Sequence, residues 1–344
     1  MLIAEARQRA RSWVELNAAR EPGFAGAFFT GSTGELSADD ALPATSDVDI
    51  VVVLDVQTAP PKLGKIVADG LVLEVTYAAL AEFDDTAAVA RNYHLANSFR
   101  RDQLIADPTG RLAELRDAIA PFFHRPEAIV VRCDNAIDRI RNGLAGIDAA
   151  AAWQQQVMGW MFSTSITTHV VLVAALRNPT VRLRYAAARA VLLGLGRSDL
   201  YDELLDQLGV RDLQPATVAR QLENLEPLFD DAVGAASTPF FFSSDISDGA
   251  RHIVFEGSRV LITDGLHREA VFWIIATYTR CMTILAADAP LLAATHEPTF
   301  RNAVTQLLGV QSTGDLLGRA QRTLASLPAL RAFVAEQAAV QNQA

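Results

Sequence analysis

The stretch GSTGELSADDALPATSDVDIVVVL, residues 31–54, decides the fold of this chain. It follows a short apolar run, Ala25-Gly26-Ala27-Phe28-Phe29-Thr30, and the Gly31-Ser32 pair turns out of that run. The loop from Thr33 to Ser46 carries the turn and cap residues Gly34, Ser37, Asp39, Asp40 and Pro43. Ser46-Asp47-Val48-Asp49 then opens a second apolar run, Ile50 to Leu54. Side chains alternate along a strand, so Asp47 and Asp49 share one face. Val51 and Val53 continue that face, while Ile50, Val52 and Leu54 form the other. A strand over 47–54 that is apolar on both faces belongs in the middle of a sheet. Two like charges on one face repel each other and resist burial, and a divalent cation is the usual offset.

Outward from this stretch, residues 2–20 read as an amphipathic helix ended by Glu21-Pro22-Gly23, and 25–30 as a first strand. Downstream, 63–68 and 71–77 form a hairpin around Asp69-Gly70, because a two-residue turn needs positive φ and glycine supplies it cheaply. Glu74 interrupts the apolar run of its second strand, so it either faces solvent on an edge or joins a site. Residues 78–102 read as helical, 103–106 as a short strand before Asp107-Pro108-Thr109-Gly110, and 111–120 as a helix. Pro121 to Pro126 reads as a domain boundary. Beyond it the pattern is helical: 127–148, 151–177, 180–194, 198–208, 215–236, 248–264, 267–287, 289–308, 312–325 and 328–341. The expected fold class is therefore α+β, with a small mixed sheet in a first domain, 1–122, and an all-α helical bundle in a second, 127–344.

Half of the 344 residues are hydrophobic, enough for two cores. A net charge of −10 argues against a nucleic-acid surface, which needs a basic stripe, but suits a cationic small molecule or a nucleotide arriving with magnesium. Lys62 and Lys65 are the only lysines, so phosphate contacts are expected from arginine or backbone. Cys133 and Cys281 lie far apart and suggest neither a disulfide framework nor a zinc site. The N-terminus has no apolar signal region. The uncharged segment Val157–Leu176 gathers Ser163, Thr164, Ser165, Thr167, Thr168 and His169, too many polar groups for a membrane helix. A cytoplasmic protein with no membrane partner is expected.

Gly31-Ser32, then Asp47-Val48-Asp49-Ile50 on the next strand, then an acid on a later strand, resembles the signature of the nucleotidyltransferase superfamily, which includes DNA polymerase β and the aminoglycoside adenylyltransferases. The resemblance covers roughly residues 20–120. It implies a polymerase β-like fold and transfer of a nucleotidyl group, AMP from ATP above all, to a hydroxyl of a small acceptor with release of pyrophosphate. It implies that Asp47 and Asp49 hold two magnesium ions and that the third carboxylate maps onto Glu74, as metal ligand or as the base for the attacking hydroxyl. It also implies that Gly31, Ser32 and Ser46 lie against the nucleoside triphosphate. Asp55 and Glu82 are the other acids that fall near the third position. Two departures from the pattern stand out: the loop before Asp47 is long, and it carries Glu35, Asp39 and Asp40 where a basic residue is usual. Arginine for the triphosphate is then expected from Arg182, Arg184 or Arg189 in the helical region. An antitoxin-like adenylylation of a partner protein, and a non-catalytic nucleotide sensor or interaction module with a relict site, are the alternatives to small-molecule transfer.

Overall fold

A computed structural model describes residues 1–341 of the chain. The fold is α+β, a five-stranded mixed sheet followed by a largely helical region. The described chain divides into two units: Met1–Asn135 with Leu176–Pro179 and residues 338–341, and Ala136–Ala175 with Thr180–Gln337.

In the first unit, helix α1 (Ile3–Leu16) precedes strand β1 (Phe24–Thr30). Strand β2 (Val48–Leu54) follows, then the hairpin of β3 (Gly64–Ala68) and β4 (Leu71–Ala79). The turn between them holds Asp69 at φ 49° and Gly70 at φ 70°, the positive-φ pair that a two-residue hairpin requires. Two short helices, α2 (Thr86–Arg91) and α3 (Leu95–Ser98), a strand β5 (Leu104–Ala106) and helix α4 (Arg111–Ile119) complete the unit's core. The strands lie in the order β3-β4-β2-β1-β5, with β2 parallel to β4 and the other pairs antiparallel.

The alternation along β2 separates two apolar layers. Val48, Ile50, Val52 and Leu54 pack with Leu71, Leu73 and Val75 under Ala6, Ala10 and Val14 of α1. On the opposite face Val53 packs with Phe28, Ala78, Phe83, Val89, Phe99, Leu112 and Leu115. Both faces of β2 are thus covered, as its sequence demands.

The continuous helix expected over 78–102 does not form. β4 runs on to Ala79, whose N–H is then capped by Glu82 Oε1 at 2.8 Å. Asp85 Oδ1 accepts from Ala87 N at 2.9 Å and Ala88 N at 3.0 Å and starts α2, and Asn92 Oδ1 accepts from His94 N at 3.1 Å. Each of these short polar side chains offers the backbone a local partner that competes with a longer helix.

The boundary between the units falls inside helix α5 (Pro126–Ala145). The second unit contains α6 (Trp153–Ala174), α7 (Arg184–Gly194), α8 (Ser198–Leu208), α9 (Pro215–Ala235), α10 (Asp248–Thr263), α11 (His267–Asp288), α12 (Pro290–Leu308) and most of α13 (Thr313–Gln341). Its axis is α11, buried from Glu269 to Leu285 and packed against α6, α7, α9, α10 and α12. α6 and α11 are long and apolar enough to cross a membrane by length and composition, but 72% and 83% of their most apolar windows are buried inside the protein. Three hydroxyls of α6 are satisfied on their own helix, Ser165 donating to Phe162 O, Thr167 to Thr164 O and Thr168 to Ser165 O, while that of Thr164 meets the Thr323 hydroxyl on α13.

Two helices expected over 312–325 and 328–341 are one helix, α13, with Pro328 inside it. A proline in a helix interior costs about 3 kcal/mol. Here Leu316, Ala320, Thr323 and Leu327 before it and Leu330, Phe333 and Val334 after it are all buried, so the apolar face continues through the proline and its burial outweighs that cost.

Candidate metal centre

The site is built on a row of residues across four strands. In the parallel register of β2 and β4, Asp49 lies beside Glu74. The antiparallel register of β3 and β4 sets Lys65 beside Glu74, and that of β1 and β2 sets Thr30 beside Asp49. Asp47 immediately precedes β2 and, by the strand alternation, projects to the same side as Asp49. Asp47, Asp49 and Glu74 are all half-buried, and one carboxylate oxygen from each lies within 4.8 Å of the others. Among the described residues this is the one group of three such side chains.

Gly31 closes the site from the side of β1. Its backbone lies at φ 68°, ψ −158°, a region that only glycine enters without strain. A Cβ on Gly31 would stand 1.8 Å from Asp49 Oδ2 and 2.6 Å from its Cγ. Ser32 opens a short 3₁₀ turn, Ser32–Gly34, whose Thr33 carbonyl accepts from Arg7 Nη2 at 2.6 Å. Ser46, half-buried, donates its N–H to Pro43 O at 3.0 Å in the turn just before Asp47.

Both lysines of the chain are on the triad. Lys62 Nζ lies 2.7 Å from Glu74 Oε1. Lys65 Nζ bridges two carboxylates, 3.1 Å from Asp47 Oδ2 and in contact with Glu74 Oε2. The side chain of Lys65 is only 5% exposed. Sequence reasoning gives these lysines no role at the acids, although the hairpin turn fixes the register that sets Lys65 beside Glu74.

The charges shift one another in opposite directions. Burial, then the neighbouring Asp47 and Glu74, push the Asp49 carboxyl well above the usual carboxylate range, and Lys65 and Lys62 offset only part of this. For Glu74, burial also works upward, but the charges and hydrogen bonds of Lys65 and Lys62 outweigh it and hold the pKa at about 2, below the ordinary 4.5. A depressed carboxylate stabilises the folded state above its unfolded pKa and loses that contribution as pH falls through the folded one. In protein stripped of metal with EDTA, the urea midpoint is therefore expected to fall as pH drops from about 4.5 towards about 2, and Glu74→Gln to remove that part of the decline. A Glu74→Gln variant with an unchanged acid limb would show that Glu74 is not held by the lysines.

The long loop before Asp47 is tied to α1. The N-terminus of α1 has no side-chain cap; instead Ile3 N donates to Asp40 O at 2.9 Å and Ala4 N to Ala38 O at 3.0 Å. These carbonyls satisfy two of the orphan donors that every helix start presents. Of the loop's acids, Glu35 is paired with Arg100, Asp40 Oδ2 accepts from Ser37 N at 2.7 Å, and Asp39 is exposed. The other acids considered for the third position lie apart from the triad: Glu82 caps Ala79, and Asp55 is exposed beyond β2.

The arginines expected to serve a triphosphate belong to the helical unit. Arg184 is buried there, donating to Ser165 Oγ at 2.6 Å and Val181 O at 2.8 Å, with its guanidinium 4.0 Å from the centre of the Phe272 ring. Arg182 is half-buried in the turn before α7, and Arg189 pairs with the buried Glu269 at 3.4 Å, where the Tyr201 hydroxyl also donates. Within the first unit, sequence reasoning missed Arg7, which reaches the turn after Ser32 from α1.

Three carboxylates are hard oxygen donors, the set that suits magnesium or manganese rather than zinc. The ammonium already held between Asp47 and Glu74 shows that their oxygens are placed to share one cation. The residues present thus fit a divalent ion of that class. No protein-family model matches this chain, and no curated protein matches it.

Proposed function

We propose that this protein is a magnesium-dependent, cytoplasmic nucleotidyltransferase that moves AMP from ATP to a hydroxyl of a small molecule and releases pyrophosphate. The observation that carries the reading is the meeting of Asp47, Asp49 and Glu74 beside a turn that glycine alone can make at Gly31.

Asp47, Asp49 and Glu74 would hold the metal, which when bound supplies positive charge to neutralise the phosphates and to orient the displacement. Gly31 keeps the turn flush with Asp49, so that a phosphate chain can approach the backbone there. Ser32 would offer its hydroxyl to the phosphates at that turn, and Ser46 its own just before Asp47. Glu74 can instead take the proton of the attacking hydroxyl, provided Lys65 and Lys62 release it, since a carboxylate held at about 2 is a poor base. The acidic surface of the chain suits a cationic acceptor of the aminoglycoside kind.

The test is pyrophosphate release from ATP with magnesium and a panel of hydroxylated amines. Release is expected from the wild type and not from Asp47→Asn. Turnover that survives this substitution would remove Asp47 from the mechanism. One observation favours a second reading, a non-catalytic interaction module with a relict site: the lysines already neutralise much of the triad. Calorimetry separates the two, because that module would bind neither manganese nor ATP.

A further inference from the structure

We infer that Lys65 is the resident cation of the triad, competing with the divalent ion for Asp47 and Glu74 and thereby setting the protein's metal affinity. This rests on the reading of the triad as a divalent-cation site. The chain has 30 basic lysine and arginine side chains, of which two are lysines, and both of those meet Glu74.

The choice of lysine has a physical reason. An ammonium is a compact point charge on a flexible four-carbon stem, and it withdraws by rotating that stem. A guanidinium would grip a carboxylate through two parallel hydrogen bonds and hold its plane fixed. Lys65 Nζ touches Asp47 Oδ2 and Glu74 Oε2, oxygens from two different members of the triad. A divalent ion that takes those oxygens competes with the ammonium, because the two cations draw on the same negative charge and repel each other at that distance. The exchange happens among side chains that are 5%, 20% and 18% exposed, where bulk salt screens the charges poorly. Lys62 touches only Glu74 Oε1, so it competes less.

The experiment is a titration of the full chain with Mn2+ alone, free ion read by electron paramagnetic resonance. Lys65→Met is expected to tighten Mn2+ binding by at least about tenfold. Lys62→Met is expected to tighten it less, and Lys65→Arg not at all. In EDTA the Lys65→Met protein is expected to melt lower than wild type and to recover when Mn2+ is added, since Asp47 has lost its paired ammonium and Glu74 one of its two. A Lys65→Met chain that folds only with Mn2+ is the extreme of the same result. One that remains unfolded at saturating Mn2+ overturns the inference, as does one whose Mn2+ affinity is unchanged or weaker. Equal binding by wild type and Lys65→Met removes the competition and leaves the metal site standing. Binding by neither removes both.

Discussion

Gly31→Ala is expected to destroy the candidate site and to destabilise the protein by roughly 3 kcal/mol or more. Two independent costs meet at this residue. The backbone at φ 68°, ψ −158° is open to glycine and strained for any residue with a Cβ. The added carbon would also fall 1.8 Å from Asp49 Oδ2, far inside contact distance. Asp49 cannot retreat with its strand, because β2 is paired on both sides, to β1 through Thr30 and to β4 through Glu74. Either the Asp49 side chain rotates out of the triad or the turn lifts away from it. Both outcomes break the arrangement that a cation needs. Urea denaturation reads the first cost, and Mn2+ titration reads the second. A variant with the wild-type midpoint and wild-type Mn2+ affinity would show that the turn and Asp49 are not in contact.

Asp49→Asn is expected to separate stability from function. The substitution keeps the shape of the side chain and removes a charge that burial, Asp47 and Glu74 all disfavour. Metal-free Asp49→Asn protein is therefore expected to be more stable than wild type at pH 7. The sign follows from the raised pKa of Asp49: the folded state holds that proton more tightly than the unfolded state. Its contribution is favourable below the ordinary value of 3.8 and is lost as pH rises through the folded value. The advantage of the asparagine variant should accordingly vanish in acid and grow towards neutral pH. The proposed function should move the other way: any Mn2+ binding is expected to weaken by about a hundredfold, and the proposed nucleotidyl transfer by roughly 10³-fold or more. Parallel urea curves in EDTA from pH 3 to 8, beside Mn2+ titrations, check both halves. If the variant were less stable at every pH, Asp49 would be a net stabilising charge and the repulsion argument would fail. If it bound Mn2+ as the wild type does, Asp49 would not be a ligand.

Much of the site is legible in the amino-acid sequence. Strand alternation puts Asp47 and Asp49 on one face, and the apolar pattern puts β2 inside the sheet. The hairpin carries more than its turn. A two-residue turn at Asp69-Gly70 fixes the pairing of Ala68 with Leu71, Val67 with Val72, Ile66 with Leu73 and Lys65 with Glu74. The lysine beside the third acid is therefore encoded in the sequence, by local geometry alone.

What the sequence determined by itself is what short-range rules carry: the α+β class, the strand faces, the hairpin register, and the glycine and acids of the site. The remaining features depend on contacts between residues far apart in the chain. The parallel pairing of β2 with β4 brings Glu74 to Asp49, and no turn between them dictates that register. Docking on α1 holds the acidic loop through backbone carbonyls, which carry no side-chain signal. The pairing of Glu35 with Arg100, across 65 positions, neutralises an acid that looked hostile to phosphate. Pro328 stays inside α13 because buried residues on either side of it outweigh a local preference that reads as a break. In these cases the deciding energy comes from burial, backbone hydrogen bonding or charge pairing between distant segments, which composition and periodicity do not encode.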